Sequence, residues 1–71
     1  MKLWLVQTEY YTYDEFDSFV VRAESETAAR EVAGQGDEYH KNFWRASKKV
    51  TVKEITVEGE PEVILGSFNA G

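Results

Sequence analysis

An α+β fold follows from three features of the sequence. Two alternating apolar runs stand near the amino terminus, one alanine-rich stretch has helical period, and two further apolar runs flank Glu58-Gly59-Glu60-Pro61. The element order is β-β-α-β-β. A right-handed crossover through the helix places the third strand beside the first, and a hairpin returns the fourth. The expectation is a single four-stranded antiparallel sheet in the order 2-1-3-4, with one short helix packed on one face.

Lys2 to Thr8 is the first strand. Leu3 and Leu5 point one way and Trp4 and Val6 the other, so both faces are apolar and the strand belongs in the centre of the sheet. Phe16 to Ala23 is the second strand, with Asp17, Phe19, Val21 and Ala23 on one face and Phe16, Ser18, Val20 and Arg22 on the other. The short polar stretch between them makes a hairpin, with Asp14 as its turn residue. Ser25 is the N-cap of the helix, Glu26 favours its positive end, and Ala29, Val32 and Ala33 form its apolar stripe. Gly34 suits the position just beyond the helix end. Residues 35–48 show no clean period and form an irregular basic and aromatic connection. Lys49 to Val57 is the third strand, whose apolar phase changes around Glu54 and predicts a bulge or a strand end. Glu62 to Phe68 is the fourth strand, entered through Pro61, and Asn69-Ala70-Gly71 is a short tail.

Seventy-one residues with 42% hydrophobic content allow one packed domain spanning 1–71, whose small size predicts marginal stability. There is no cysteine, so neither a disulfide nor a thiolate metal site supports it. No apolar run approaches the length of a membrane span and no signal-peptide core follows Met1, which predicts a soluble cytoplasmic protein with no membrane partner.

The net charge is −5, but it is distributed unevenly. Glu9 to Glu38 carries nine carboxylates against two arginines, and Lys41 to Lys53 carries five cations and no acid. Segregation of this kind either solvates two faces or steers a partner. Tyr10, Tyr11, Tyr13 and Phe16 surround the first turn, and adjacent aromatics in a strand cannot all be buried. They either shield the open sheet face or, set among carboxylates, form a protein-binding surface. Tyr11, Tyr13, Asp14, Glu15, Asp17, Glu24 and Glu26 are the candidate partner-binding residues, and the partner is a protein with a basic nucleic-acid-binding surface. The alternative is direct nucleic-acid binding by the segment 41–53. There Lys41, Arg45, Lys48 and Lys49 interleave with Phe43 and Trp44, a composition suited to stacking beside phosphate contacts. The acidic total disfavours that alternative.

Candidates for chemistry are few. His40 is the only histidine, lies near Asp37 and Glu38, and is expected to be an exposed loop residue. No serine sits in a nucleophile-elbow context, and Gly34-Gln35-Gly36 follows a helix rather than opening one. Neither enzymatic activity nor a metal or cofactor is expected. The outer edges of strands two and four admit edge-to-edge homodimerisation, with Pro61 opposing it along strand four.

Lys2-Leu3-Trp4-Leu5-Val6, the run from Tyr13-Asp14-Glu15-Phe16 to Val21, and the close from Val63 to Ser67-Phe68-Asn69-Ala70-Gly71 together resemble small uncharacterised acidic proteins encoded by bacteriophages. The helix opening Ala23-Glu24-Ser25-Glu26-Thr27-Ala28-Ala29-Arg30 resembles the same group, whereas residues 35–48 do not. The resemblance implies a host-takeover or counter-defence context. In that context a non-enzymatic protein in the host cytoplasm inhibits or modulates a host nucleic-acid-handling or antiviral complex, in the manner of anti-CRISPR proteins or polymerase inhibitors.

Overall fold

The doubly apolar run at the amino terminus occupies the centre of the sheet. The computed structural model describes residues 1–10 and 15–68. In it β1 (Lys2–Thr8) lies between β2 (Ser18–Ala23) and β3 (Val50–Ile55), antiparallel to both. Opposed residues share a face. Trp4, Val6, Phe19, Val21, Val50 and Val52 meet the helices, whereas Leu3, Leu5, Val20, Arg22, Lys53 and Ile55 line the other side.

On the helical side α1 spans Glu26–Gly36, and the Ser25 hydroxyl accepts from the backbone N–H of Ala28, as its capping position requires. Its buried residues, Ala29, Ala33 and Gly34, are small and bring the helix axis close to its neighbours. The connection 35–48, expected to be irregular, is largely helical. It completes α1, makes one 3₁₀ turn over Glu38–His40, and continues directly into α2 (Lys41–Ala46). Gly34 therefore does not end α1. A Cβ there would lie 3.2 Å from the Lys41 carbonyl oxygen, so the glycine is a point of close approach between the two helices. Trp44 of α2, only 1% exposed, completes the core beside Val6, Val21, Ala29, Ala33 and Val50.

A charged side chain fixes this second helix. The Arg30 guanidinium donates from Nη1 to the carbonyls of Trp44 (3.3 Å) and Ser47 (3.1 Å), and from Nη2 to that of Val50 (2.9 Å). One side chain thus satisfies carbonyls at the end of α2 and at the start of β3, a cationic C-cap supplied from outside the helix.

The fourth strand is overturned: the described sheet has three strands in the order β2-β1-β3 and two α-helices cover it, where a four-stranded sheet of order 2-1-3-4 with one helix was expected. Glu62 to Phe68 runs instead as an irregular strap over the open face. Ile64 lies with Leu5 and Ile55, Leu65 lies with Gln7 and Ser18, and Ser67 Oγ donates to Asp17 Oδ2 at 2.8 Å. Ile64 and Leu65 are consecutive and both partly covered, which a pleated strand cannot arrange on one face. The strap leaves Leu5 only 6% exposed on a face that no helix covers, so burial of that side chain favours it over pairing at an edge. Of the two readings of the phase change near Glu54 the structure takes the strand end: β1 and β3 pair without a bulge from Thr8↔Val50 to Leu3↔Ile55, and β3 stops at Ile55, short of the expected Val57. The phase change reflects two cores: Val50 and Val52 pack under the helices, and Ile55 packs on the strap side. With the fourth strand gone, the outer edges of the sheet are those of β2 and β3, and the Pro61 argument about edge pairing lapses. The expected tail 69–71 and the turn residue Asp14 lie outside the described residues. Among the described residues, no helix is long and apolar enough to cross a membrane.

Candidate protein-binding site

The carboxyl end of β1, the starts of β2 and β3, and the α1–α2 junction meet at one end of the molecule. Thr8, a buried polar residue, ties three segments of the chain together there. Its backbone N–H donates to the Asp17 carbonyl at 2.9 Å, its hydroxyl donates to the Lys49 carbonyl at 2.8 Å, and the same oxygen accepts from the Tyr10 N–H at 3.1 Å. Tyr10 is thereby held at the rim, where the Lys49 ammonium sits 4.3 Å from its ring centroid, in cation–π range.

Asp37 organises the opposite wall. One carboxylate oxygen, Oδ2, accepts from the buried Trp44 indole N–H at 3.0 Å, and both oxygens lie 3.2 Å from His40 Nδ1. The other ring nitrogen, Nε2, is 3.3 Å from Glu15 Oε2, so a carboxylate faces each nitrogen of one imidazole. These carboxylates address opposite sides of the ring and do not converge on one point. Among the described residues no group of three or more histidines, cysteines or acids could hold a metal ion. Aromatic rings continue the wall: Phe16 stacks on Phe19 with centroids 4.7 Å apart, Phe19 meets Trp44 edge-on at 5.0 Å, and Phe43 meets Trp44 edge-on at 5.7 Å. Tyr10, Glu15, Phe16, Asp37, His40 and Phe43, with Trp44 at the base, enclose a cleft of about 220 Å³. Among the described residues at this end the rings of Tyr10, Phe16 and Tyr39 are exposed, at 61%, 52% and 97%, with Glu9 and Glu38 adjacent to Tyr10 and Tyr39 in the chain.

The structure brings together only part of the set that the sequence suggests for partner binding. Glu15 stands in the cleft wall. Asp17 is turned to the strap and accepts from Ser18 Oγ and Ser67 Oγ, both at 2.8 Å. Glu24 and Glu26 belong to the other end of the molecule, because Ala23 pairs with Lys2 and α1 runs from there toward the cleft. Tyr11, Tyr13 and Asp14 lie outside the described residues. Tyr10 is not a shield for the open sheet face; it borders the cleft on the helical side.

The basic segment does not form a stacking platform. Trp44 is buried and Phe43 packs against the core, Arg45 Nε donates to Glu31 Oε1 at 2.8 Å, and Lys49 is engaged with Tyr10. Lys41 and Lys48 are exposed. The acidic and basic segments that look separate along the chain therefore interlock in space. His40, expected in a loop, belongs to the 3₁₀ turn, and its side chain is about half exposed between its two carboxylates. Sequence reasoning names His40 beside Asp37, and Phe43 with Trp44, but for separate roles, and does not join them in one cleft. The signal that could have joined them is the spacing of Asp37, His40 and Trp44, three and then four residues apart, which brings all three to one side of the turn. Comparison with protein-family models, curated proteins and solved structures finds no match to this chain.

Proposed function

We propose that the chain is a non-enzymatic binding module that engages a basic surface of another protein through the end bearing the cleft. The observation that carries this reading is the cluster of exposed rings, Tyr10, Phe16 and Tyr39, beside the carboxylates of Glu15 and Asp37. Large aromatics set on an ordered framework supply contact area with little further loss of side-chain freedom, and acidic groups around them steer a cationic partner and discriminate against anionic ones. The resemblance to phage-encoded proteins supports a host nucleic-acid-handling or antiviral-defence protein as that partner. Occupying its phosphate-binding surface would inhibit or modulate it.

The test is capture from bacterial lysate by the tagged chain, followed by titration of the purified partner. The wild type is compared with Glu15→Lys/Glu38→Lys and with a control of equal charge change, Glu58→Lys/Glu60→Lys. The expected result is an affinity reduced by about tenfold or more in the first variant and retained in the second, because reversed charge at a contact repels the partner's cations. Equal affinities for the two variants would sink the reading.

A further inference from the structure

The helix-free face of the sheet is unlike on the two sides of β1. Leu3 has Arg22 on one side and Ile55 on the other, and one level along Leu5 has Val20 and Lys53. The strap covers the β3 side at these levels, where Ile64 lies with Leu5 and Ile55, and it reaches β2 at that strand's start, beside Ser18. The β3 half is therefore raised and the β2 half forms a step below it. Apolar side chains stay open on both halves, Val20 at 53% and Ile64 at 48% exposure, with Leu3 between them. On the raised half the loop after β3 carries Glu58, Glu60 and Glu62 around a cleft of about 250 Å³ that Leu5, Ile55 and Ile64 also line. These three carboxylates are exposed, and so is Arg22 on the step; among the described residues no ion pair engages any of the four.

Glutamates in a loop would alone do no more than keep it solvated. Symmetry gives this arrangement its meaning. A two-fold axis along β1, lying in the plane of the face, sets the β2 half of one copy on the β3 half of a second at the same level. Leu3 then meets its own counterpart, Val20 meets Ile64, and Arg22 meets the mouth of the glutamate cleft, each of these last two contacts made twice. The raised strap of each copy fills the step of the other. The face is thus its own complement in shape, apolar content and sign, as an isologous interface requires. Pairing along the β3 edge has no such support, since the Val50 N–H already donates to the Ser47 carbonyl and the Val50 carbonyl already accepts from Arg30.

We propose that the chain forms a two-fold dimer through this face, the Arg22 guanidinium of each copy pairing with Glu58, Glu60 and Glu62 of the other while Val20 packs on Ile64. The contact lies toward the amino end of β1 on the side away from the helices. It does not use the end that bears Tyr10, Phe16 and Tyr39, so a dimer presents two such ends.

Sedimentation equilibrium on the purified chain, from about 10 µM to about 1 mM, reads the association. The apparent mass should rise from 8.2 kDa toward twice that value, and the dimer should weaken as salt is added. Arg22→Glu, and separately Glu58→Lys/Glu60→Lys, set like charges at both contacts and should each weaken the dimer about tenfold or more. An equimolar mixture of the two variants restores opposite charges at both contacts and should associate about as tightly as the wild type. All the substituted side chains are exposed, and circular dichroism verifies that each variant is folded. A mass that stays at 8.2 kDa throughout the range, variants that dimerise like the wild type, or a mixture no tighter than its components would overturn the proposal. Glu58→Lys/Glu60→Lys is also the variant expected to keep its affinity for the basic partner, so failure of the dimer and failure of the protein-binding reading are told apart.

Discussion

Replacing Arg30 by methionine keeps an unbranched apolar stem in place and removes only the guanidinium, so it isolates the three bonds to the carbonyls of Trp44, Ser47 and Val50. A hydrogen bond with a charged donor contributes about 1.5–3 kcal/mol when it is well formed and shielded. Here the bonds at 2.9 and 3.1 Å are of good length, the one at 3.3 Å is long, and the side chain is only partly buried, so water takes over some of the acceptors. The expected loss is about 3 kcal/mol in total rather than three full bonds. Against a stability of roughly 4–10 kcal/mol for a chain of this length, that is a large fraction. It corresponds to a fall in Tm of about 12–24 °C. Thermal denaturation followed by far-ultraviolet circular dichroism measures the fall, and urea titration gives the free energy. Arg30→Lys should lie between the two, since one ammonium cannot span three carbonyls in a fork. A fall of less than about 4 °C for Arg30→Met would refute the reasoning and mean that α2 is held by the packing of Trp44 alone.

Other outcomes follow from the same contacts. Asp37→Ala leaves the buried Trp44 N–H without its acceptor and should cost about 1–3 kcal/mol in urea denaturation, with Asp37→Asn costing less because its amide oxygen still accepts. Gly34→Val places side-chain atoms against the Lys41 carbonyl and should destabilise by about 1–3 kcal/mol despite removing a helical glycine, as a lowered urea midpoint would register. The double variant Ile64→Ser/Leu65→Ser should lower stability by about 1–2 kcal/mol, since each side chain is only partly covered, and should raise binding of an apolar dye to the uncovered Leu5 face.

The strands of the sheet and the start of α1 are legible in the sequence because their causes are local. The alternation of Leu3, Leu5 and Trp4, Val6 assigns β1 its central place, and Ser25 followed by the stripe of Ala29, Val32 and Ala33 announces the helix. Helix α2 is not legible in the same way. Six residues with Phe43 and Trp44 side by side carry no period, and what holds them is remote: Arg30, fourteen residues earlier in the chain than Trp44, and the carboxylate of Asp37. Gly34 misleads because glycine both ends helices and lets helices touch, and only the position of Lys41 in space selects the second role. The strap misleads because Val63, Ile64 and Leu65 have the composition of a strand, whereas the segment crosses the helix-free face of the sheet, where Ile64 lies with Leu5 and Leu65 with Gln7 and Ser18. At the cleft, Glu15 is visible as a carboxylate near a turn, but its meeting with His40 depends on how α1 returns to the hairpin end.

The central strand of this sheet is also the first to be made. As the chain leaves the ribosome, β1 finds β2 soon afterwards, but its other edge waits until Val50–Ile55 has been synthesised. During that interval a row of unpaired amides and carbonyls lies beside Leu3, Leu5 and Trp4, a template open to any extended segment nearby. Helix α1 covers a face of the β1–β2 hairpin and leaves that edge open, and it carries the Arg30 that meets the Val50 carbonyl of β3. Pairing of β1 with β3 is the longer-range of the two closures, and once made it is secured by Arg30 through the Val50 carbonyl.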